Sequence, residues 1–107
     1  MIYWLCLAGA ILLEIAGTTS MKLSQGFTRT LPSVLLFVFY ALSFTLMTVA
    51  VKRIDMSVSY AIWSGVGTTL IALIGVLWFR EPLTTIQIVS IALIILGVVG
   101  LRAGATA

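Results

Sequence analysis

The chain has 107 residues, 62% of them hydrophobic and 8% charged, with a mean hydropathy of +1.25. A soluble domain is about 45–50% apolar and about 25% charged, so a soluble globular fold is excluded. The formal charge of +3 comes from six Lys and Arg against three Asp and Glu. These bases are scattered at the ends of apolar runs, which excludes a nucleic-acid-binding surface and fits anchoring at lipid headgroups.

The first apolar run covers residues 2–21, near the about 20 residues that a helix needs to cross about 30 Å of hydrocarbon. It has no positively charged n-region and is too long for the apolar core of a signal peptide, so it is read as retained. Glu14 lies near its middle and is the only acid or base inside any of the four apolar runs. A carboxylate at a bilayer centre costs from about 2.5 to more than about 10 kcal/mol, which makes Glu14 a candidate proton or cation site. The alternative is a permanently protonated Glu14 that bridges helices by hydrogen bonds, a task that Gln would do equally well. Leu7, Ala10, Ile11, Glu14, Gly17, Thr18 and Met21 recur every three or four residues and form one stripe, with small residues flanking the acid that admit a neighbouring backbone or a ligand; Ala10, Gly17 and Thr18 are candidate substrate-binding residues. Cys6 is the one cysteine and the chain has no His, so neither an intrachain disulfide nor a metal cluster is expected.

After a loop over residues 22–32, the second run covers 33–51, with Tyr40, Ser43, Phe44 and Met47 on one face. That face serves either a pocket, with Tyr40, Ser43 and Phe44 as candidate substrate-binding residues, or plain packing. The third run, 58–79, repeats the spacing with Tyr60, Trp63, Ser64 and Gly67; Trp63 is deeper than an interfacial aromatic belt. Gly65 and Gly67 weaken the helix at its middle and serve either as a hinge or as a tight packing point. They are not part of a phosphate loop, because the Walker lysine and the strand context are missing. The fourth run, 83–101, puts Ser90, Ile94, Gly97 and Leu101 on one face suited to close helix pairing, including with a second copy. The reading is therefore an all-α membrane protein of four transmembrane helices in one domain over 1–107.

Four crossings put both termini and the second turn on one side of the membrane, with Lys52, Arg53 and Arg102; the other side receives Lys22, Arg29 and Arg80. Orientation follows the Lys and Arg excess in short loops, and here there is none. Insertion in both orientations is expected, which lets two copies pair head to tail, although a parallel homodimer stays open. Four helices are too few to enclose a large path. Transporters commonly build a midplane site between two inverted halves, and an inverted pair of identical chains would supply both. Ionised Glu14 with the π-faces of Trp63, Tyr60 and Tyr40 would suit a lipophilic cation. Rival readings are a rotor-type proton-carrying subunit and an accessory membrane protein. An enzyme is not expected, since no nucleophile has a base beside it.

The segments Leu13-Glu14-Ile15-Ala16-Gly17-Thr18-Thr19-Ser20-Met21-Lys22, Gly26-Phe27-Thr28-Arg29, Pro32-Ser33 and Tyr60-Ala61-Ile62-Trp63-Ser64-Gly65-Val66-Gly67 together resemble the small multidrug resistance family. The resemblance runs from the N-terminus to about Leu101. It implies a proton-coupled antiporter that exports lipophilic or quaternary ammonium cations, as an antiparallel homodimer in the inner membrane of a prokaryote, with protons as coupling ion and no cofactor. It assigns proton and substrate binding to Glu14, substrate binding to Trp63, Tyr60 and Tyr40, and dimer contact to the Gly97 face. Gly17-Thr18-Thr19 is similar to the multidrug branch; the guanidinium-exporting branch is the alternative, as is polyamine export. Trp4 stands where the family often has a tyrosine in its pocket. Asp55-Met56-Ser57 and Arg80-Glu81-Pro82 also depart from the family pattern.

Overall fold

The computed structural model describes residues 1–105 and consists of four helices: α1 (Ile2–Leu23), α2 (Thr30–Ala50), α3 (Met56–Leu77) and α4 (Thr85–Gly104). At about 1.5 Å per residue each is about 30–33 Å long, and all four are long and apolar enough to cross a membrane.

Local chemistry sets the boundaries, which differ somewhat from those read from hydropathy. The second helix starts at Thr30 rather than residue 33, because Pro32 falls in the first turn, where its missing N–H has no intrahelical acceptor to lose. Arg29 before it is extended. Helix α3 ends at Leu77, and the chain turns back through Arg80 at φ 55°. The start of α4 is held by a capping box. The Thr84 hydroxyl accepts from the Gln87 backbone N–H at 3.2 Å, while the Gln87 side chain accepts from the Thr84 N–H at 2.9 Å. Several hydroxyls inside the helices find acceptors within their own helix: Thr45, Thr48, Thr69 and Ser90 donate to the carbonyls of Ala41, Phe44, Gly65 and Ile86. Hydrocarbon offers no water to take that role.

Helices α1 and α2 form the tightest pair. Ser43 has no exposed surface and donates to the Ala10 carbonyl at 2.6 Å across the contact. Gly17 lies under the Tyr40 ring, and Gly9 faces the tip of Leu46. Leu7, Ile11 and Ile15 of α1 join Ala50, Ile54 and Val58 in the apolar core. Helix α3 packs on α1 and carries α4 on its other side, where Gly65 lets Val98 and Ile94 approach. No residue of α4 is buried.

The two ends of the bundle carry the charges. At one, Lys22 pairs with Glu81 at 3.4 Å and lies over the Phe79 ring. Glu81 also donates its backbone N–H to the Gly75 carbonyl at 2.9 Å, and its side chain lies against Gly75. Both members of the ion pair are half-exposed, so we expect Glu81→Gln to change thermal stability in detergent by less than about 1 kcal/mol.

Candidate functional site: an acid-lined cleft between α1 and α3

The mid-helix acid faces open space. Glu14, with Thr18 one turn later, borders a cavity of about 440 Å³ whose other wall is Trp63, Ser64, Gly67, Thr68, Ile71 and Ala72 of α3. The wall is mainly apolar, and the carboxyl group is its single acid. Gly67 makes room for it: a Cβ there would stand 3.3 Å from Glu14 Oε2.

One hydroxyl relay holds the carboxylate. Thr18 Oγ1 donates to Glu14 Oε1 at 2.9 Å and lies 2.7 Å from the Tyr40 hydroxyl. A threonine hydroxyl has one proton, so with that proton given to Glu14 the Tyr40 O–H must be the donor to Thr18. The order is Tyr40 to Thr18 to Glu14, and it ties the acid on α1 to a tyrosine on α2. Among the described residues no Lys or Arg pairs with Glu14; the one ion pair is Lys22 with Glu81. An ionised Glu14 in this cleft therefore has no cationic side chain as partner among the described residues.

Aromatic rings continue from the relay across to α3. Tyr40 lies 6.1 Å from Phe44, Phe44 meets Trp63 edge-on at 6.0 Å, and Trp63 lies 5.5 Å from Tyr60. The rings form one string from α2 to α3, with Tyr60 exposed at its end. The Trp63 indole N–H is buried and has no acceptor among the described residues. It remains a donor that a ligand or water would satisfy.

The residues singled out in the sequence fall into three groups. Glu14, Thr18 and Trp63 line the cleft, Tyr40 reaches it through Thr18, and Phe44 and Tyr60 flank Trp63. Ala10, Gly17 and Ser43 are instead buried in the α1–α2 contact, where Ala10 and Ser43 have no exposed surface. Trp4 lies away from the acid, under the Arg102 guanidinium at 5.4 Å. Gly65 and Gly67 lie in an unbroken α3, where Gly65 admits Val98 and Gly67 admits the carboxyl group. On α4, Ile94 packs toward Gly65, while a Cβ on Gly97 would meet nothing within 4 Å; Ser90 and Leu101 are exposed. Thr68, Ile71 and Ala72 are cleft residues that the sequence reading did not single out. They continue the Ser64 stripe by one and two turns, which was the available signal.

This arrangement defines a multi-pass helical membrane protein with one acid in a partly aromatic cleft. The chain belongs to the Small Multidrug Resistance protein family, whose model matches residues 2–94. It is 52% identical over 99 residues to the membrane protein YvaE of Bacillus subtilis, covering 92% of this chain and 83% of that one. It is 48% identical over 90 residues to the multidrug resistance protein EbrA of Bacillus licheniformis, covering 84% and 86%. The multidrug resistance protein mmr of Mycolicibacterium paratuberculosis is 44% identical over 100 residues, covering 92% and 94%.

Proposed function

We propose that this chain is a multidrug efflux transporter that exchanges protons for lipophilic or quaternary ammonium cations, working as an antiparallel homodimer. The observation that carries the reading is Glu14: a mid-helix carboxyl group, without a cationic partner among the described residues, on the wall of an apolar cleft flanked by Trp63 and Tyr60. Family membership and the relatives named for multidrug resistance support the same conclusion. A lipophilic cation gains the carboxylate as counter-charge and ring faces at about 0.5–2 kcal/mol each. A proton neutralises the same carboxylate, so the two occupants exclude one another. Protons displace the cation on the acidic side, and the cation displaces protons on the other. With two protons per monovalent cation, one net charge crosses each cycle. The membrane potential then adds about 2.3 kcal/mol per 100 mV to about 1.4 kcal/mol per proton and pH unit.

Equal Lys and Arg counts on the two sides support insertion both ways round. An α4 without a single buried residue supports pairing with a second copy. A Cβ at Gly97 would meet nothing within 4 Å among the described residues, so Gly97→Leu is expected to keep the protomer fold. We expect it to convert dimer to monomer in light scattering and to abolish uptake; dimer and uptake both unchanged would remove this face from the interface.

The deciding experiment is uptake of small and bulky cations into liposomes holding the purified protein under an imposed pH gradient. Uptake of quaternary ammonium ions with matching proton release supports the exchange. Transport limited to guanidinium or polyamines would assign the alternative substrate class, and none at all would favour an accessory or proton-carrying subunit.

A further inference from the structure

At the end of the bundle away from the Lys22–Glu81 pair, two cavities meet at one arginine. The first, about 370 Å³, is lined by Met1, Tyr3, Trp4, Arg53, Asp55 and Arg102, with Ile54, Val58 and Ala105 behind them. The second, about 470 Å³, is a groove beside the α3–α4 contact, where Val98 packs on Gly65; its walls are Ile62, Val66, Ile95, Val98 and Val99, with Ala103 beside Arg102. Arg102, which also lines the first cavity, is its one charged residue among those described.

Among the described residues, the charges in the first cavity do not cancel. Two arginines, Arg53 and Arg102, and the N-terminal Met1 line it with one acid, Asp55, and neither guanidinium has an ion pair among the described residues. Arg102 is held over the Trp4 ring, so its position is set without an anion. This cluster lies at the ends of spanning helices, the level of lipid phosphates, where basic side chains and tryptophan gather. An anion with a long apolar chain fits both cavities at once: its charge between Arg53 and Arg102, its chain along the groove.

We propose that this pair of cavities is a binding site for an anionic phospholipid, with the phosphate diester held by Arg53 and Arg102 and one acyl chain lying in the groove beside the α3–α4 contact. The groove residues Ile95, Val98, Val99 and Arg102 lie on average about 120° around α4 from the stripe of Ser90, Ile94, Gly97 and Leu101. A lipid here leaves the Gly97 flank free for a second copy.

The test is native mass spectrometry of the full-length protein in detergent, offered an equal mixture of phosphatidylglycerol and phosphatidylcholine with matched chains. Phosphatidylglycerol should be retained at least about 10-fold better. The Arg53→Gln, Arg102→Gln double variant should bind it about 25-fold less, at about 5-fold per guanidinium. The Arg53→Lys, Arg102→Lys variant keeps both charges and the balance that governs insertion, so it should fold and keep a weaker preference. Val99→Trp, which fills the groove, should lower retention of both lipids. Equal retention of the two lipids by the natural protein overturns the proposal, as does undiminished phosphatidylglycerol binding in the Gln pair or in Val99→Trp. Displacement of the lipid by equimolar soluble glycerophosphoglycerol would reduce the site to one for free phosphate esters and also overturn it. Loss of the dimer in the Gln pair, with lipid retention unchanged, would overturn it by giving the cavity to a second copy.

Discussion

In liposomes under a pH gradient, the Glu14→Gln variant should take up quaternary ammonium ions no faster than empty vesicles, a loss of at least about 100-fold. Gln matches Glu in shape, and its carbonyl oxygen still accepts from Thr18, so the relay to Tyr40 and the space opposite Gly67 are kept. What disappears is the charge. Breaking a buried charge pair by removing one partner costs about 3–5 kcal/mol, which is more than about 100-fold in affinity for the cation. Coupling is affected more absolutely, because an amide does not take up a proton, so no cation is exchanged against the gradient whatever its residual affinity. Two controls separate this from misfolding: circular dichroism should be unchanged, and Glu14→Asp should keep partial exchange. Asp retains the acid but is one methylene shorter, moving it away from Thr18. Proton-driven uptake persisting in Glu14→Gln would show that the carboxyl group serves only to join helices.

Much of this is legible in the sequence, for a physical reason. Hydrocarbon forces every spanning backbone into helix, so the number and approximate length of the apolar runs report the fold directly. Glu14 stood out because ionised groups are so costly there. Helical spacing grouped Tyr40 with Phe44 and Tyr60 with Trp63, and these do form one string of rings. Spacing tells which residues share a face, but not what that face meets. Ala10 and Gly17 share the stripe of Glu14, yet they turn toward α2 while Glu14 and Thr18 border the cleft toward α3. A membrane helix is apolar on its lipid side and its packed side alike, so the contrast that separates the two in a soluble protein is missing. Thr68, Ile71 and Ala72 escaped notice for the same reason: small and aliphatic side chains in an apolar helix look alike whether they face lipid, protein or a cavity. The shifted ends of α2 and α3 depended on Pro32 in a first turn and on the reversal at Arg80, neither of which hydropathy senses.

Gly17→Ala is the second large effect, and it acts through packing rather than charge. A Cβ on residue 17 would stand 2.6 Å and 2.7 Å from two carbons of the Tyr40 ring and 3.4 Å from the Phe39 Cβ. Carbon atoms rest at about 3.5–4.0 Å, so the ring or the helix must move by about 1 Å. Neither is free to do so. Tyr40 is held at its far end by Thr18, and the two helices are locked nearby by the Ser43 bond to the Ala10 carbonyl. Inserting a methyl group into such a contact costs about 1–3 kcal/mol, and the ring's escape breaks the relay that steadies Glu14. We expect a lower melting temperature and at least about 10-fold weaker cation uptake. Gly9→Ala is the internal control: its Cβ would meet only the tip of Leu46, at 2.9 Å, and a leucine end can turn aside. Tyr40→Phe separates the two causes, because it keeps the ring and removes the hydroxyl; it should retain the melting temperature while uptake falls. If Gly17→Ala melts and transports like the natural protein, the α1–α2 contact does not position the acid, and Tyr40 has no part in the site.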